Sequence, residues 1–411
     1  MIKSVQEGEL KGKILIPASK SDGQRAILAA ALAKGTSEIL NIGESDDVQS
    51  MLRNVQLLGA EVEINGSSVA ITGTKQFPEN IELNVGESGL GLRLLTSICA
   101  AHDGMQILNG EGSILTRDQS FFENHFSLMG VEATSNSGKL PLEIKGKLRP
   151  GNYTVDGSES SQYISGLLMA LPLLNGDSVL TVQDLKSKPY VEMTLETLRA
   201  FGIKIQSQAN SYFIKGNQEY QATDYTVEAD WSSASYWLVA AALGHDLRLS
   251  GLNRNSKQAD KALLDVLELA NCKIIIQNGE IKVDGAQRKA FDFDATNCPD
   301  LFPSLVTLAA FCNGISRIKG AHRLINKESN RCLVLQKEFA KLGLNIELKN
   351  DEMIIHGGQQ LKSTEVDSNN DHRIAMCLAI AATRINNGLI INGAEAVSKS
   401  YPDFWRDLSL M

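Results

Sequence analysis

A helix-ending residue recurs in this chain with a period of about 70 residues, and that period constrains the fold more than any single motif. Gly59, Gly130, Gly202, Asn271 and Gly343 each follow an amphipathic segment and precede an alternating one. They are separated by 71, 72, 69 and 72 residues, and the chain ends 68 residues after the last. Gly or Asn at such a point is a helix C-cap, because these residues tolerate the left-handed conformation that closes a helix.

The starts of a second set of helices keep the same beat, around Arg25, Arg93, Ser161, Ser233, Asp300 and Arg373. Six units follow. Each reads as a polar turn, an apolar helix of small residues, a β-branched strand, a second loop, an amphipathic helix, the Gly or Asn cap, and then alternating strands such as Glu61-Val62-Glu63-Ile64 with the turn Asn65-Gly66. The sixth unit stops after its second helix, at Trp405 to Met411, and lacks closing strands; the strands around Ile2 to Ile16 are expected to supply them. Segments such as Tyr163 to Leu174, Ala234 to Leu243 and Ile374 to Ala382 have almost no polar face, so these helices should be buried on all sides. The expectation is clusters of three units with helices inside and sheets outside, their positive helix N-termini turned to one region. A helical-repeat or open-sheet protein whose polar turns are merely solvated caps is the alternative from periodicity alone.

At 411 residues the chain is long enough for two or three domains. Its net charge of −8 argues against nucleic acid or an anionic membrane as partner, so any cationic site must be focused. The first residues hold no signal-peptide run and no segment approaches the length of a membrane span, which points to a cytoplasmic protein. Cys99, Cys272, Cys298, Cys312, Cys332 and Cys377 are scattered without a Cys-x-x-Cys pair, as expected of reduced core thiols.

No nucleotide-binding signature, zinc-protease motif or nucleophile elbow is present. The turns instead concentrate cations at helix starts: Lys20, Arg25, Arg93, Arg117, Lys327, Arg331, Arg373 and Lys399, interleaved with Ser21, Ser160, Ser161, Gln162, Ser187 and Tyr190. Helix N-termini with paired guanidinium groups suit small anions, and this many suit two of them.

In these turns the chain resembles the 5-enolpyruvylshikimate-3-phosphate synthase family along essentially its whole length. The family's Gly-Ser-Lys-Ser turn and downstream Arg fall on Ala18-Ser19-Lys20-Ser21 and Arg25. Its Asn-Ala-Gly-Thr-Ala-x-Arg-Pro stretch falls on Glu87-Ser88-Gly89-Leu90-Gly91-Leu92-Arg93-Leu94, and its Gly-Glu with a later Arg on Gly110-Glu111 and Arg117. Ser160-Ser161-Gln162, Ser187-Lys188-Pro189-Tyr190, Pro299-Asp300, Lys327-Glu328-Ser329-Asn330-Arg331, Asn370-Asp371-His372-Arg373 and Lys399-Ser400-Tyr401-Pro402-Asp403 complete the series.

The resemblance implies an α/β (strictly α+β) fold: a two-domain inverse β-prism of six βαβαββ-type units. It implies a discontinuous domain of residues 1–18 and 230–411, an inserted domain of residues 19–229, and an active site in the cleft between them. It implies transfer of the enolpyruvyl group of phosphoenolpyruvate to shikimate 3-phosphate, without metal or cofactor, in a protein expected to be a monomer. Shikimate 3-phosphate is then expected against Ser21, Arg25, Ser160, Ser161, Ser187, Tyr190, Asp300 and Lys327, with Lys20 shared between the ligands. Phosphoenolpyruvate is expected against Gly89, Arg117, Gln162, Arg331, Arg373 and Lys399, with Arg93 supporting that pocket. Glu328 is the candidate for the methylene proton transfers, Asp300 with Lys20 for the hydroxyl, and Lys399 for the leaving phosphate. From local sequence alone, Asp300 reads first as a helix N-cap, Glu328 also reads as half of a surface ion pair, and His372 is expected to shape its turn.

Two rival functions remain. The related UDP-N-acetylglucosamine enolpyruvyl transferases carry a Cys five residues before the loop Arg, where this chain has Gly112. A non-catalytic sugar-phosphate sensor would not need the carboxylates Asp300 and Glu328 among its anion-binding residues. Within the second turn Glu87, Leu90 and Leu94 replace the family's Asn, Thr and Pro. Glu87 is expected to bring a negative charge beside an anion site and to alter sensitivity to glyphosate, the family's phosphoenolpyruvate analogue.

Overall fold

All five cap residues that set the repeat are left-handed in the structure: φ is +97° at Gly59, +89° at Gly130, +83° at Gly202, +60° at Asn271 and +91° at Gly343. The structure is a computed structural model that describes all residues, Met1–Met411. The chain divides into two compact units, Lys20–Val227 and the combination of Met1–Ser19 with Glu228–Met411.

Six small sheets, three in each unit, correspond to the six repeats. The second repeat shows the pattern. Strand Asn80–Asn84 pairs in parallel with Met105–Asn109 across helix Gly89–Cys99, and the hairpin Val131–Asn136 with Lys139–Gly146 closes the other edge. A parallel pair needs a crossover connection, and the apolar helix supplies it. The third and fifth repeats follow the same order, with leading strands Asn152–Asp156 and Asp292–Asp294.

At the ends of the repeats the strands are exchanged. Ile2–Val5 pairs antiparallel with Leu389–Asn392 and completes the sixth repeat, but Lys11–Leu15 does not join it. Lys11–Leu15 runs parallel to Asp246–Ser250 and leads the fourth repeat, so the expectation that both N-terminal strands close the sixth is corrected. Tyr225–Thr226 in turn leads the first repeat, parallel to Thr36–Leu40. The physical reason lies in the two chain crossings. After Lys11–Leu15 the chain leaves for helix Lys20–Leu32, and after Tyr225–Thr226 it leaves for helix Trp231–Ala242, so each leading strand is parted from its own crossover helix. The crossing segments pair with each other through the antiparallel bridge Ala18 to Ala229, and the Ser19 amide donates to the Glu228 carbonyl at 2.7 Å.

In each unit the first helices of the repeats form the core. Helices Trp231–Ala242, Phe302–Ala310 and His372–Ala382 pack on one another, with nearly every residue buried. In the other unit Gly89–Cys99 packs against Lys20–Leu32 and Ser161–Ala170. There a Cβ on Gly166 would fall 2.5 Å from the Arg93 carbonyl oxygen, so only glycine permits that helix crossing. Each buried Leu, Ile, Met or Phe of these helices contributes about 1.5–3 kcal/mol relative to exposure. Helices without a polar face can reach solvent only at their ends, and the polar residues collect there.

Candidate functional site

Within Lys20–Val227 the sequence-derived residues form two groups. In the first, Arg25 is fully buried on helix Lys20–Leu32; its Nε donates to Thr194 Oγ1 at 2.8 Å, Nη1 to the Ser21 carbonyl at 2.7 Å and Nη2 to the Tyr190 carbonyl at 3.2 Å. Arg25 therefore ties the first helix start to the turn Ser187–Tyr190. Burial lowers the Arg25 guanidinium to about 10, against the opposing field of Asp22 and the phenols of Tyr190 and Tyr225. Ser187, buried, stands in the left-handed region at φ +54° as the cap of helix Lys188–Ala200. A non-glycine residue there costs about 1–2 kcal/mol. Lys20 pairs with Asp47 at 3.0 Å, and Gln24 Nε2 donates to both the Asp47 carbonyl and the Ser88 hydroxyl.

The second group gathers at the start of helix Gly89–Cys99, capped by the Ser88 hydroxyl, which accepts from the Gly91 amide at 3.1 Å. A Cβ on Gly89 would lie 2.5 Å from Arg93 Nη1 and 2.7 Å from Arg117 Nη1, so two guanidinium groups converge over this glycine. Arg93 also donates to Gln162 Oε1 at 3.3 Å and lies over the Tyr163 ring at 5.2 Å. Ser160 caps helix Ser161–Ala170, accepting from the Gln162 amide at 3.3 Å. Two cations at a capped helix N-terminus make a seat for an anion.

In the other unit Asp300, Lys327, Glu328, Arg331 and Arg373 form one cluster. Arg331, 1% exposed, donates from Nε and Nη2 to the two oxygens of Asp371 at 2.7 and 3.1 Å, from Nη1 to Asp300 at 2.8 Å, and from Nη2 to Glu328. Asp300 also accepts from Arg373 Nη2 at 3.1 Å and pairs with Lys327 at 3.3 Å. Lys399 is buried and joins from the last repeat, its Nζ donating to the Asn370 carbonyl at 2.6 Å. The N-cap reading of Asp300 is corrected: its carboxylate engages three cations, and Leu301, which caps helix Phe302–Ala310, makes no side-chain cap. The exposed-pair reading of Glu328 is corrected too, since its partner Arg331 is buried.

The balance of charges is lopsided. Burial would raise the Asp300 carboxyl, but Arg373, Lys327 and Arg331 together hold it well below 3.8. Burial also lowers the Lys327 ammonium, against the pull of Asp300. A neighbouring carboxyl behaves oppositely: burial, with the field of Asp300 added, pushes Asp260 up to about 7.

Sequence reasoning missed Asp371, Asp47 and Gln24 as organisers of these groups. Asp371 is fully buried and also caps helix His372–Ala382, accepting from the Arg373 amide at 3.0 Å. An Asp directly before an apolar helix was the available signal. His372, buried in the first turn of that helix, follows the capping residue. All six cysteines are free and buried, no three His, Cys, Asp or Glu side chains are placed to hold a metal ion, and no helix is long and apolar enough to cross a membrane.

Glu87 does not stand free beside the anion seat. Its Oε2 accepts from the Ser113 amide at 2.7 Å, and a Cβ on Gly112 would fall 2.4 Å from its carboxyl carbon. The space that a side chain at position 112 would need is filled by this carboxylate.

The family model for EPSP synthase (3-phosphoshikimate 1-carboxyvinyltransferase) matches residues 5–408. The chain is 40% identical over 406 residues to the 3-phosphoshikimate 1-carboxyvinyltransferase of Clostridium acetobutylicum, covering 97% of this chain and 94% of that protein. It is 37% identical over 411 residues to the one of Clostridium novyi, covering 97% and 94%. Among solved structures, EPSP synthase from Acinetobacter baumannii superposes with a TM-score of 0.79 at 26% identity, over 100% of this chain and 98% of that one.

Proposed function

The chain belongs to the EPSP synthase family and transfers the enolpyruvyl group of phosphoenolpyruvate to shikimate 3-phosphate in aromatic biosynthesis, and from that premise we propose how its own residues divide the work. The reading assigns shikimate 3-phosphate to Lys20, Ser21, Arg25, Ser160, Ser161, Ser187, Tyr190, Asp300 and Lys327. It assigns phosphoenolpyruvate to Gly89, Arg93, Arg117, Gln162, Arg331, Arg373 and Lys399. The assigned residues are drawn from both units, so the reading requires both for activity. The reading is of a cytoplasmic monomer that works without a cofactor.

In the reaction the 5-hydroxyl of shikimate 3-phosphate adds to the central carbon of phosphoenolpyruvate while a proton is delivered to the methylene carbon. The tetrahedral intermediate then loses inorganic phosphate as a proton leaves the new methyl group. Glu328 is proposed to move the methylene proton, Asp300 and Lys20 to take the hydroxyl proton, and Lys399 to steady the leaving phosphate. The depressed pKa of Asp300 in this cluster makes its carboxylate a poor base. When an anionic substrate draws Arg331 and Arg373 to itself, their hold on Asp300 weakens and its basicity rises.

The observation that carries this reading is the convergence of Arg93 with Arg117 over Gly89 in one unit, together with a cluster within the other unit in which Arg331 and Arg373 are held by carboxylates. The test is phosphate release from phosphoenolpyruvate with either acceptor. Release with shikimate 3-phosphate and none with UDP-N-acetylglucosamine is expected; release only with the latter, or with neither, overturns it.

A further inference from the structure

The turn before helix Gly89–Cys99 and the turn before Arg117 are joined by a ladder of hydrogen bonds. The Val85 amide donates to the Asn109 carbonyl at 2.9 Å and the Glu111 amide to the Gly86 carbonyl at 2.8 Å. Asn84 Nδ2 donates to Glu111 Oε1 at 3.0 Å. The next rung is made by a side chain. The Ser113 amide, in the short helix Gly112–Thr116, donates to Glu87 Oε2 at 2.7 Å. Gly112, left-handed at φ +54°, carries no Cβ, and the Glu87 carboxylate takes the space that one would fill. Arg117 follows this short helix as its C-terminal residue, and its Nη1 lies against Gly89, two residues beyond Glu87.

We propose that Glu87 is a positioning residue for Arg117: its carboxylate latches the Gly112–Ser113 turn to the start of helix Gly89–Cys99 and so fixes the Arg117 guanidinium beside that of Arg93. A rung supplied by a carboxylate at a helix N-terminus satisfies an amide that has no partner within the helix. The latch rests on the assignment of Arg117 to phosphoenolpyruvate. It also reverses the expected sign of Glu87, from a charge that opposes the anion to a support for the group that binds it. Simple repulsion and the latch therefore predict opposite results.

Steady-state kinetics with both substrates on Glu87→Ala, Glu87→Asp and Glu87→Gln test it. Alanine removes the acceptor, aspartate falls one methylene short, and glutamine retains an acceptor oxygen without the charge. The latch predicts that the KM for phosphoenolpyruvate rises about tenfold in Glu87→Ala and Glu87→Asp, stays within about threefold in Glu87→Gln, and that the KM for shikimate 3-phosphate does not change. A KM for phosphoenolpyruvate that is unchanged or lower in Glu87→Ala or Glu87→Asp overturns the proposal. So does a Glu87→Gln enzyme as impaired as the other two, or an equal rise in both KM values. Glu87→Asp keeps the test decisive should the alanine variant fail to fold. The parallel variant Arg117→Lys separates the premise from the latch: if it leaves the KM for phosphoenolpyruvate unchanged, the assignment of Arg117 fails, whatever Glu87 does.

Discussion

Arg331 and Asp371 share two hydrogen bonds, 2.7 and 3.1 Å long, with both side chains almost wholly removed from solvent. The carboxylate is at the same time the cap of helix His372–Ala382. One buried anion thus sets the position of an arginine from the fifth repeat and the helix start that carries Arg373 in the sixth.

Breaking this pair should cost stability as well as activity. Arg331→Met leaves Asp371 buried without its main partner, a loss of about 3–5 kcal/mol. Asp371→Asn should cost a comparable amount, and the double variant less than the sum. Urea denaturation of the three proteins measures this; additive losses would mean that the two residues act independently.

Lys20 requires a different expectation from that of a solvent-exposed catalytic lysine. It forms a 3.0 Å pair with Asp47, their side chains 14% and 8% exposed. Lys20→Ala should abolish most activity and also lower stability by about 1–2 kcal/mol, because it strands the Asp47 carboxylate. Adding Asp47→Asn should return part of that stability and none of the activity. A Lys20→Ala protein with an unchanged Tm would argue that the pair contributes nothing.

Ser187 trades backbone strain for a hydroxyl. At φ +54° it sits where glycine is favoured, so Ser187→Gly should stabilise by about 1 kcal/mol while raising the KM for shikimate 3-phosphate roughly tenfold. Thermal melting paired with kinetics reads both. A lower Tm would show that the serine side chain's contacts outweigh the strain.

His245 makes stability depend on pH in a stated direction. Its Nδ1 accepts from the Leu10 amide at 3.0 Å and its Nε2 lies 2.9 Å from Thr383 Oγ1. Burial, with Arg384 nearby, lowers its pKa from 6.5 to about 4. The fold therefore favours the neutral ring: the contribution is complete above pH 6.5 and is lost as pH falls toward 4. Replacement by Gln should flatten this part of the stability curve in denaturation at successive pH values. An unaltered slope would assign the acid sensitivity to other groups.

The repeat was legible because its punctuation is chemical: a left-handed cap needs Gly or Asn, and Gly59, Gly130, Gly202, Asn271 and Gly343 supply it. The apolar helices were legible because burial on all sides removes the polar face. Strand exchange was not legible. Tyr225–Thr226 is only two residues long and carries no alternation, and the choice between pairing Lys11–Leu15 with the sixth or the fourth repeat depends on where the chain crosses. Among the site residues, the cations stood out by their density at helix starts, whereas the carboxylates that hold them did not. Asp371 meets Arg331 across 40 residues, and the acceptance of the Ser113 amide by Glu87 was not legible either, because charge is visible in a sequence while the direction of a carboxylate is not.

The strand exchange also sets an order of events during synthesis. Ile2–Val5 is made long before its only strand partner, Leu389–Asn392, and Lys11–Leu15 must wait for Asp246–Ser250. The segment Lys20–Val227 can meanwhile fold complete, because its own leading strand, Tyr225–Thr226, lies at its end. A nascent chain arrested near residue 260 would therefore carry one finished unit and an N-terminal strand, Ile2–Val5, still unpaired.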